Sequence, residues 1–186
     1  MATVLWGHGK GYVYESIDIE NYSPTMLTPH QIATHFRQLY FGGNWTSLNM
    51  KDTLADVDWK QATTQVHSLN SIAALVFHTN YYVDVVIKVL QGEPLNPHDK
   101  YSFDLPPISS DEDWNKLLDK TWADAETFAA LIEPLAESKL WETLMEEKYG
   151  NYYRNLHGVI EHTHYHLGQI VLIKKLVAEM NTAESD

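Results

Sequence analysis

Three histidines lie within five residues in the last part of the chain, at His162, His164 and His166. An α-helix turns about 100° and rises about 1.5 Å per residue, so His162 and His166 share one face while His164 points about 200° away from both. Two imidazoles on one face can bind one divalent ion, but they supply only half of a four-ligand site. The alternative is a polar stripe on the helix surface, because this spacing alone does not require a metal.

Another histidine, His78, lies in the apolar segment AALVFHTNYY. On a helix it shares a face with Leu75 and Tyr82, so its ring points toward the core or beside it. A buried imidazole without a partner costs roughly 1 to 3 kcal/mol. An ordinary hydrogen bond would satisfy it, but the pair His162 and His166 on a facing helix offers a better explanation. We therefore predict that these three histidines bind one divalent metal ion.

Four more residues are predicted to lie near the face of the histidine pair. Asn155 and Gly158 precede the pair by about two turns and one turn, and the glycine would leave room beside an ion. Gln169 follows the pair by about one turn and could hold a ligand in place. Arg154 is the one cation close to this face, which makes it the candidate for binding an anion. Each of these residues could equally belong to ordinary helix packing.

The loop at Asn44 and Trp45 is a second place where we expect substrate-binding residues, because a loop over the end of a bundle often lines a site. The remaining histidines, His35 and His157 among them, are predicted to lie in loops, at helix ends or at the edge of the core. His35 would be the substitute ligand if His78 pointed elsewhere. Beyond the metal ligands, the sequence identifies no catalytic acid, base or nucleophile.

Helical periodicity predicts the elements that bring these histidines together. The first helix covers about residues 29–41, with Thr28 as its N-cap and two glycines at its end. A polar segment with one short helical turn follows. The second helix carries His78, continues for about 22 residues in an i, i+3, i+4 rhythm and stops at Gly92. Its length and periodicity make it the clearest helix in the chain.

The segment EPLNPHDKYSFDLPPISS holds four prolines in 18 residues and shows no period, which indicates an extended connection. A third helix is predicted from a capping box at Ser110 to about Glu133, before Pro134. The fourth helix carries the histidine pair and runs for about thirty residues. Four helices with one long crossover predict an all-α four-helix bundle.

The first 26 residues fit this pattern poorly. The segment YVYESIDI alternates in hydrophobicity and predicts a short strand, but no partner strand is evident in an otherwise helical sequence. We interpret residues 1–26 as an N-terminal extension, which either packs across the bundle or is disordered. Residues 27–186 are then the bundle domain.

Composition narrows the classes of function. The chain has 186 residues, no cysteine and a formal net charge of −12, so disulfides, thiolate ligands and cysteine nucleophiles are excluded, and nucleic acid is not expected as a partner. No secretory signal and no continuous apolar stretch of about 18 residues is evident in the sequence. We therefore expect a cytoplasmic protein that does not enter a membrane.

The histidine in an apolar second helix, the proline-containing crossover and the terminal motif HTHYHLGQI together resemble the DinB-like superfamily, named for DNA-damage-inducible proteins, over about residues 27–180. The resemblance implies a metal site formed by His78, His162 and His166, with Gln169 in the motif that follows. Zinc or nickel is expected from the imidazole ligands and from the resemblance. Family members of known activity resemble thiol-dependent transferases and isomerases that use bacillithiol or mycothiol.

These patterns predict a metal-dependent enzyme that activates a thiol or water for transfer or hydrolysis on a small molecule, with a low-molecular-weight thiol as a candidate partner. Two alternatives stay open: a non-catalytic metal- or ligand-binding bundle with a stress-related role, and an interaction protein without an ion. A homodimer is expected from the habit of the family and from the tryptophans Trp6, Trp45, Trp59 and Trp141.

Overall fold

The structure is a computed structural model that describes residues 2–6, 13–17, 27–94 and 99–183. These ranges contain six α-helices that pack together, and the protein is mostly helical, in agreement with the all-α prediction. The helices are α1 (Thr28–Phe41), α2 (Met50–Leu54), α3 (Trp59–Thr63), α4 (Ile72–Leu90), α5 (Asp111–Ile132) and α6 (Tyr152–Ala183). Short 3-10 helices occur at Asp99–Tyr101, Glu137–Trp141 and Glu147–Tyr149.

The long helices begin and end where local chemistry dictates. Ser71 precedes α4, and its side chain accepts a hydrogen bond from the backbone N–H of Ala74. Ser110 caps α5 in the same way through Asp113, as predicted. Each cap satisfies a backbone donor that has no partner inside the helix. Gly42 ends α1 at a φ of 106°, in the region that favours glycine.

The predicted cap at the start of α1 was wrong. Leu27 is the N-cap residue, and Thr28 is already helical. The hydroxyl of Thr28 donates instead to Oε1 of Glu137 at 2.6 Å, and its backbone N–H donates to Oε2 of the same carboxylate at 3.1 Å. A carboxylate 109 residues away in the sequence thus takes the role that the threonine was expected to fill.

The core lies where the four longer helices meet. Helix α5 packs against both α1 and α4, and α6 packs against α4 and α1, while the short helices α2 and α3 lie against α1, α4 and α5. Burial of their apolar faces is the main stabilising term. The largest fully buried side chains from these helices include Phe36, Tyr40, Ile72, Trp114, Phe128, Ile132 and Leu156.

The segment between α4 and α5 passes beside α4. Asp99 accepts a hydrogen bond from the hydroxyl of Tyr82 on α4 at 3.1 Å. Phe103, further along the same segment, stacks on the ring of His78 with the centroids 4.0 Å apart and the planes within 13°. The connection that the prolines predicted therefore also covers part of α4.

The predicted strand has a partner after all. Strand β1 (Ala2–Trp6) pairs antiparallel with β2 (Val13–Ile17), with Val4 opposite Glu15. The segment YVYESIDI, which contains β2, was expected to lack a pairing strand. That expectation was wrong, because residues 2–6 pair with it. The division of the chain at residue 27 remains a prediction.

Helix α4 is the one helix within the described ranges that is long and apolar enough, by length and composition, to cross a membrane. Buried core helices pass the same test, and 61% of the relevant window of α4 is buried inside the protein. Its apolar composition is accounted for by its central place between α5 and α6.

Candidate metal centre

The three predicted ligands meet between α4 and α6. Nε2 of His162 lies 3.1 Å from Nε2 of His78 and 3.0 Å from Nε2 of His166. The spacing of four residues places His162 and His166 one above the other on α6, and α4 packs along the same face. Of the histidines and acidic residues that the structure describes, these three form a group whose ligand atoms all lie within 4.8 Å of one another.

Neighbouring side chains hold these rings in place. Nδ1 of His166 lies 2.7 Å from Oε1 of Gln169, so that nitrogen donates its hydrogen and leaves a lone pair on Nε2. The amide of Gln169 in turn donates to the hydroxyl of Tyr165 at 3.1 Å. Gln169 was predicted to support a ligand, and its contact with His166 places it where that role requires.

Aromatic rings surround the other two histidines. Phe103 stacks on His78, and the ring of Tyr82 lies edge-on to His78 at 5.2 Å and to His162 at 4.8 Å. These rings shield the group from bulk water. Neither residue was assigned to the site from the sequence, although the spacing of four between His78 and Tyr82 on one helix is a signal that points to this contact.

Burial keeps the three imidazoles neutral. His78 is 9% exposed and His166 is 7% exposed, and burial lowers the pKa of both below the ordinary value of 6.5. Burial, together with the charges that its two neighbours would carry, lowers the pKa of His162 to about 4. Neutral imidazole is the form that binds a metal, so the site is in its binding form at neutral pH.

The donor atoms fit a divalent ion. Two nitrogens that bind one ion at about 2.1 Å are separated by about 3.0 to 3.4 Å. The two Nε2 separations that involve His162, 3.1 and 3.0 Å, fall in that range, and the ligand atoms of all three residues lie within 4.8 Å of one another. The buried Nδ1 atoms of His78 and His162 have no hydrogen-bond partner among the described residues. Three neutral imidazoles facing one another cannot satisfy all of their lone pairs by hydrogen bonds among themselves. A cation bound by the three Nε2 atoms would accept those lone pairs and would leave Nδ1 of His78 and His162 carrying the ring hydrogens.

A cavity of about 440 Å³ reaches the group from one side, and His162 forms part of its wall. Much of the wall is apolar, with polar and charged side chains at its edges. The lining residues are Tyr82, Val85, Val86, Asp99, Leu144, Lys148, Tyr149, Arg154, Asn155, Gly158, Val159 and His162. A small molecule in this space would contact His162 directly.

The other predicted residues divide into two groups. Arg154 and Asn155 line the cavity, and Asn155 donates its amide hydrogens to the backbone carbonyls of Tyr149 and Asn151. Asn44 and Trp45 are not among the residues that line it. The amide of Asn44 donates within its own loop, to Thr46 and to the carbonyl of Leu48, and Trp45 is 98% exposed.

Helical phase accounts for the positions of two further histidines on α6, His157 and His164. His164 turns away from the pair and faces His35 of α1, with the ring centroids 5.8 Å apart. His157 packs against Tyr153, with the centroids 4.4 Å apart. His35 is therefore not needed as a substitute for His78.

Comparison with protein families, with curated proteins and with solved structures gives no match for this chain. The resemblance to the DinB-like superfamily accordingly rests on the motif residues themselves. The arrangement of His78, His162 and His166 is the observation from which function has to be argued.

Proposed function

We propose that this protein is a metal-dependent enzyme of the DinB-like class, built on a four-helix bundle formed by α1, α4, α5 and α6. The observation that carries the proposal is the convergence of Nε2 of His78, His162 and His166 at the wall of a cavity. Three neutral protein ligands are typical of catalytic metal sites, which keep positions open for substrate, whereas structural sites are usually closed by four ligands.

Zinc or nickel is the ion that we propose for this site, since both accept imidazole ligands. A divalent ion supplies a positive charge that lowers the pKa of a nearby water or thiol toward neutrality. The substrate would be a small molecule in the adjoining cavity, with a low-molecular-weight thiol as the second reactant.

The chain's own residues would bind, orient and exclude water. His162 belongs both to the histidine group and to the cavity wall, so it fixes where a reactant meets the site. Gln169 holds His166 in the tautomer that presents Nε2. Phe103 and Tyr82 cover the rings from the side of the crossover segment and keep water from this side of the group.

Metal analysis tests this proposal. Purified protein is loaded with zinc or nickel, dialysed, and its metal content measured by mass spectrometry for the wild type, His166→Ala and His164→Ala. We expect about one ion per chain in the wild type and in His164→Ala, and loss of most of it in His166→Ala. Equal loss in both variants, or no retained metal in the wild type, would refute the site.

Activity separates the enzyme from the alternative of a non-catalytic binding bundle. A thiol-conjugation assay with a small electrophile and a low-molecular-weight thiol is run on metal-loaded and metal-free protein. Metal-dependent turnover that disappears in His166→Ala supports the enzyme. Stable metal binding without turnover of any thiol or hydrolytic substrate would favour a metal- or ligand-binding role.

We further propose that the protein acts in the cytoplasm as a homodimer, without nucleic acid or a membrane as partner. The net charge of −12 opposes binding to phosphate backbones and to anionic lipid. Exposed apolar side chains such as Trp45 and Leu172, which is 55% exposed, support a contact between subunits. Light scattering that shows only monomer at high concentration would contradict the dimer.

A further inference from the structure

The chain contains two arginines, and only one of them is engaged by acidic side chains. Arg37 on α1 donates to Glu126 and Glu133 of α5. Arg154, in the first turn of α6, makes no ion pair within the ranges that the structure describes. Arg154 is exposed, and because it has no carboxylate partner among the described residues its guanidinium is available to bind an anion.

The backbone just before α6 directs the side chain of Arg154. Gly150 has a φ of 75°, a conformation that favours glycine. A Cβ at that position would lie 3.1 Å from Cδ of Arg154 and 3.4 Å from its Nη1, so the arginine lies directly over the Gly150 backbone. Asn151 caps α6 by accepting a hydrogen bond from the backbone N–H of Arg154 at 2.9 Å, which fixes the start of that side chain.

Arg154 and His162 both line the cavity, eight residues apart on one helix. Eight residues correspond to about 12 Å along a helix axis. Val159 and Gly158 lie between them on α6, Val86 adds a second apolar side chain to the wall, and a Cβ at Gly158 would meet no atom within 4 Å. The cavity thus has a cation toward one end, the histidine group toward the other, and an apolar stretch between them.

The other charged groups at the cavity are partly engaged. Lys148 lies 3.0 Å from a carboxylate oxygen of Glu146, and Asp99 accepts the hydrogen bond from Tyr82. Arg154 is therefore the cavity cation with the greatest capacity for a new anion. Its guanidinium can form two parallel hydrogen bonds to a carboxylate, a geometry that lysine lacks.

We propose that the cavity selects small molecules with an apolar body and a carboxylate group. Arg154 binds the carboxylate, and the apolar body lies along Val86 and Val159 and brings its far end to His162. This inference rests on the proposed function and deepens it, since it names the class of substrate that the metal site would receive. Arg154 acts as a specificity-determining residue at a distance from the histidine group.

Binding of a matched pair of probes tests the inference. The probes are 4-phenylbutanoate and its neutral amide, and their dissociation constants are measured by NMR titration on metal-free protein, so that neither probe can bind an ion. We expect the wild type to prefer the carboxylate by about fivefold to tenfold, because a charge-assisted hydrogen bond is made only by that probe. In Arg154→Gln the preference should vanish while the affinity for the amide is unchanged.

Lys116→Gln is the matched control, because it removes one positive charge from an exposed residue of α5 that does not line the cavity. It should retain the full preference for the carboxylate. Arg154→Lys should retain part of it, since it keeps the charge but not the two-pronged geometry. Equal affinity of the wild type for both probes, or a preference that survives in Arg154→Gln, would overturn the proposal.

The outcome is independent of the metal result. A carboxylate preference in protein that fails to retain metal would leave the anion site standing and remove the proposed enzyme. Metal retention by the three histidines without any carboxylate preference would support the metal site and remove the anion site. Circular dichroism of Arg154→Gln should be unchanged, because this exposed side chain makes no ion pair within the described ranges.

Discussion

Two faces of α6 each carry histidines that meet a histidine of another helix, but only one face forms a candidate metal site. On the first face His162 and His166 join His78 of α4, with Nε2 separations of 3.0 and 3.1 Å. On the second face His157 and His164 lie near His35 of α1, and the rings of His35 and His164 are 5.8 Å apart. The residue types are the same, so the difference comes from spacing and direction.

Spacing along α6 accounts for much of this difference. His162 and His166 are four residues apart, about 6 Å along the axis, whereas His157 and His164 are seven apart, about 10.5 Å. Two rings more than 10 Å apart at their origins do not readily reach one ion. A lowered pKa does not by itself distinguish the faces, because burial lowers the pKa of His157 and His164 as well as that of His78, His162 and His166. Convergence of the ring nitrogens, and not their neutrality, marks the site.

Removing one histidine from each face is the strongest test of the difference between the two faces. His78→Ala should lower the affinity for zinc or nickel by more than about 100-fold, because it removes one of three ligands. His35→Ala removes the equivalent histidine of the second face and should leave the affinity within about twofold of the wild type. Isothermal titration calorimetry with a competing chelator measures both. Comparable losses in the two variants would mean that the histidines of the two faces do not differ in metal binding.

Loss of the hydrogen bond between His166 and Gln169 should have the next largest effect on metal affinity. Gln169→Leu removes the acceptor of the bond from Nδ1 of His166, and the affinity for metal should fall by about 10-fold to 100-fold. Gln169→Glu restores an acceptor and should recover most of the affinity. The control is Glu161→Gln, an exposed change on α6 close to His157 of the second face. An unchanged affinity in Gln169→Leu would show that the glutamine is only a packing residue.

The convergence of His78, His162 and His166 could be predicted from the sequence because its signals are local. A spacing of four on a long helix fixes the relative direction of His162 and His166, and the apolar surroundings of His78 require it to face other helices. Phe103 could not be predicted in the same way. It lies in the aperiodic crossover, and its stacking on His78 depends on how that segment crosses α4.

The elements of the fold likewise divide into those that have a signal in the sequence and those that do not. The long helices α1, α4, α5 and α6 follow from periodicity that persists over many turns. The short helices α2 and α3 have five residues each, too few for a periodic signal, and were predicted only as a single turn. The amide of Asn44 bonds within its own loop, a choice that no pattern in the sequence records, and a substrate-binding role for this loop stays a prediction.

A change in pH should alter the affinity for metal less than the substitutions of His78 and Gln169 do. In the metal-free protein, burial lowers the pKa of His78, His162 and His166 below 6.5, and the pKa of His162 falls to about 4. Protons therefore compete with a metal for these rings only below the ordinary imidazole range. Metal affinity should stay constant in neutral solution and fall as the pH drops below about 6.5 toward about 4. Between pH 6.5 and 5.5 the loss should be smaller than the roughly 100-fold expected for three ordinary imidazoles. Calorimetry at stepped pH measures it, and a loss of the full size would contradict the lowered pKa values.

The smallest expected effect comes from two glycines that sit on the two faces. Gly158 precedes His162 by one turn and lines the cavity, while Gly168 follows His164 by one turn and is exposed. A Cβ at either position would meet no atom within 4 Å, so alanine adds helix propensity without a clash. Each substitution should raise the free energy of unfolding by about 0.5 to 1 kcal/mol, measured by urea denaturation.

Metal affinity should be unchanged in both glycine variants, because neither position contacts a ring of the histidine group. The cavity should distinguish them, since a leucine at position 158 would fill part of the space beside Val159 whereas a leucine at position 168 would point into solvent. Gly158→Leu should therefore weaken the binding of 4-phenylbutanoate severalfold while Gly168→Leu does not. A loss of stability in Gly158→Ala, or equal probe binding in the two leucine variants, would show that the space next to His162 is not open. The first face of α6 would then hold an ion that no substrate could reach, and its contrast with the second face would concern metal binding alone.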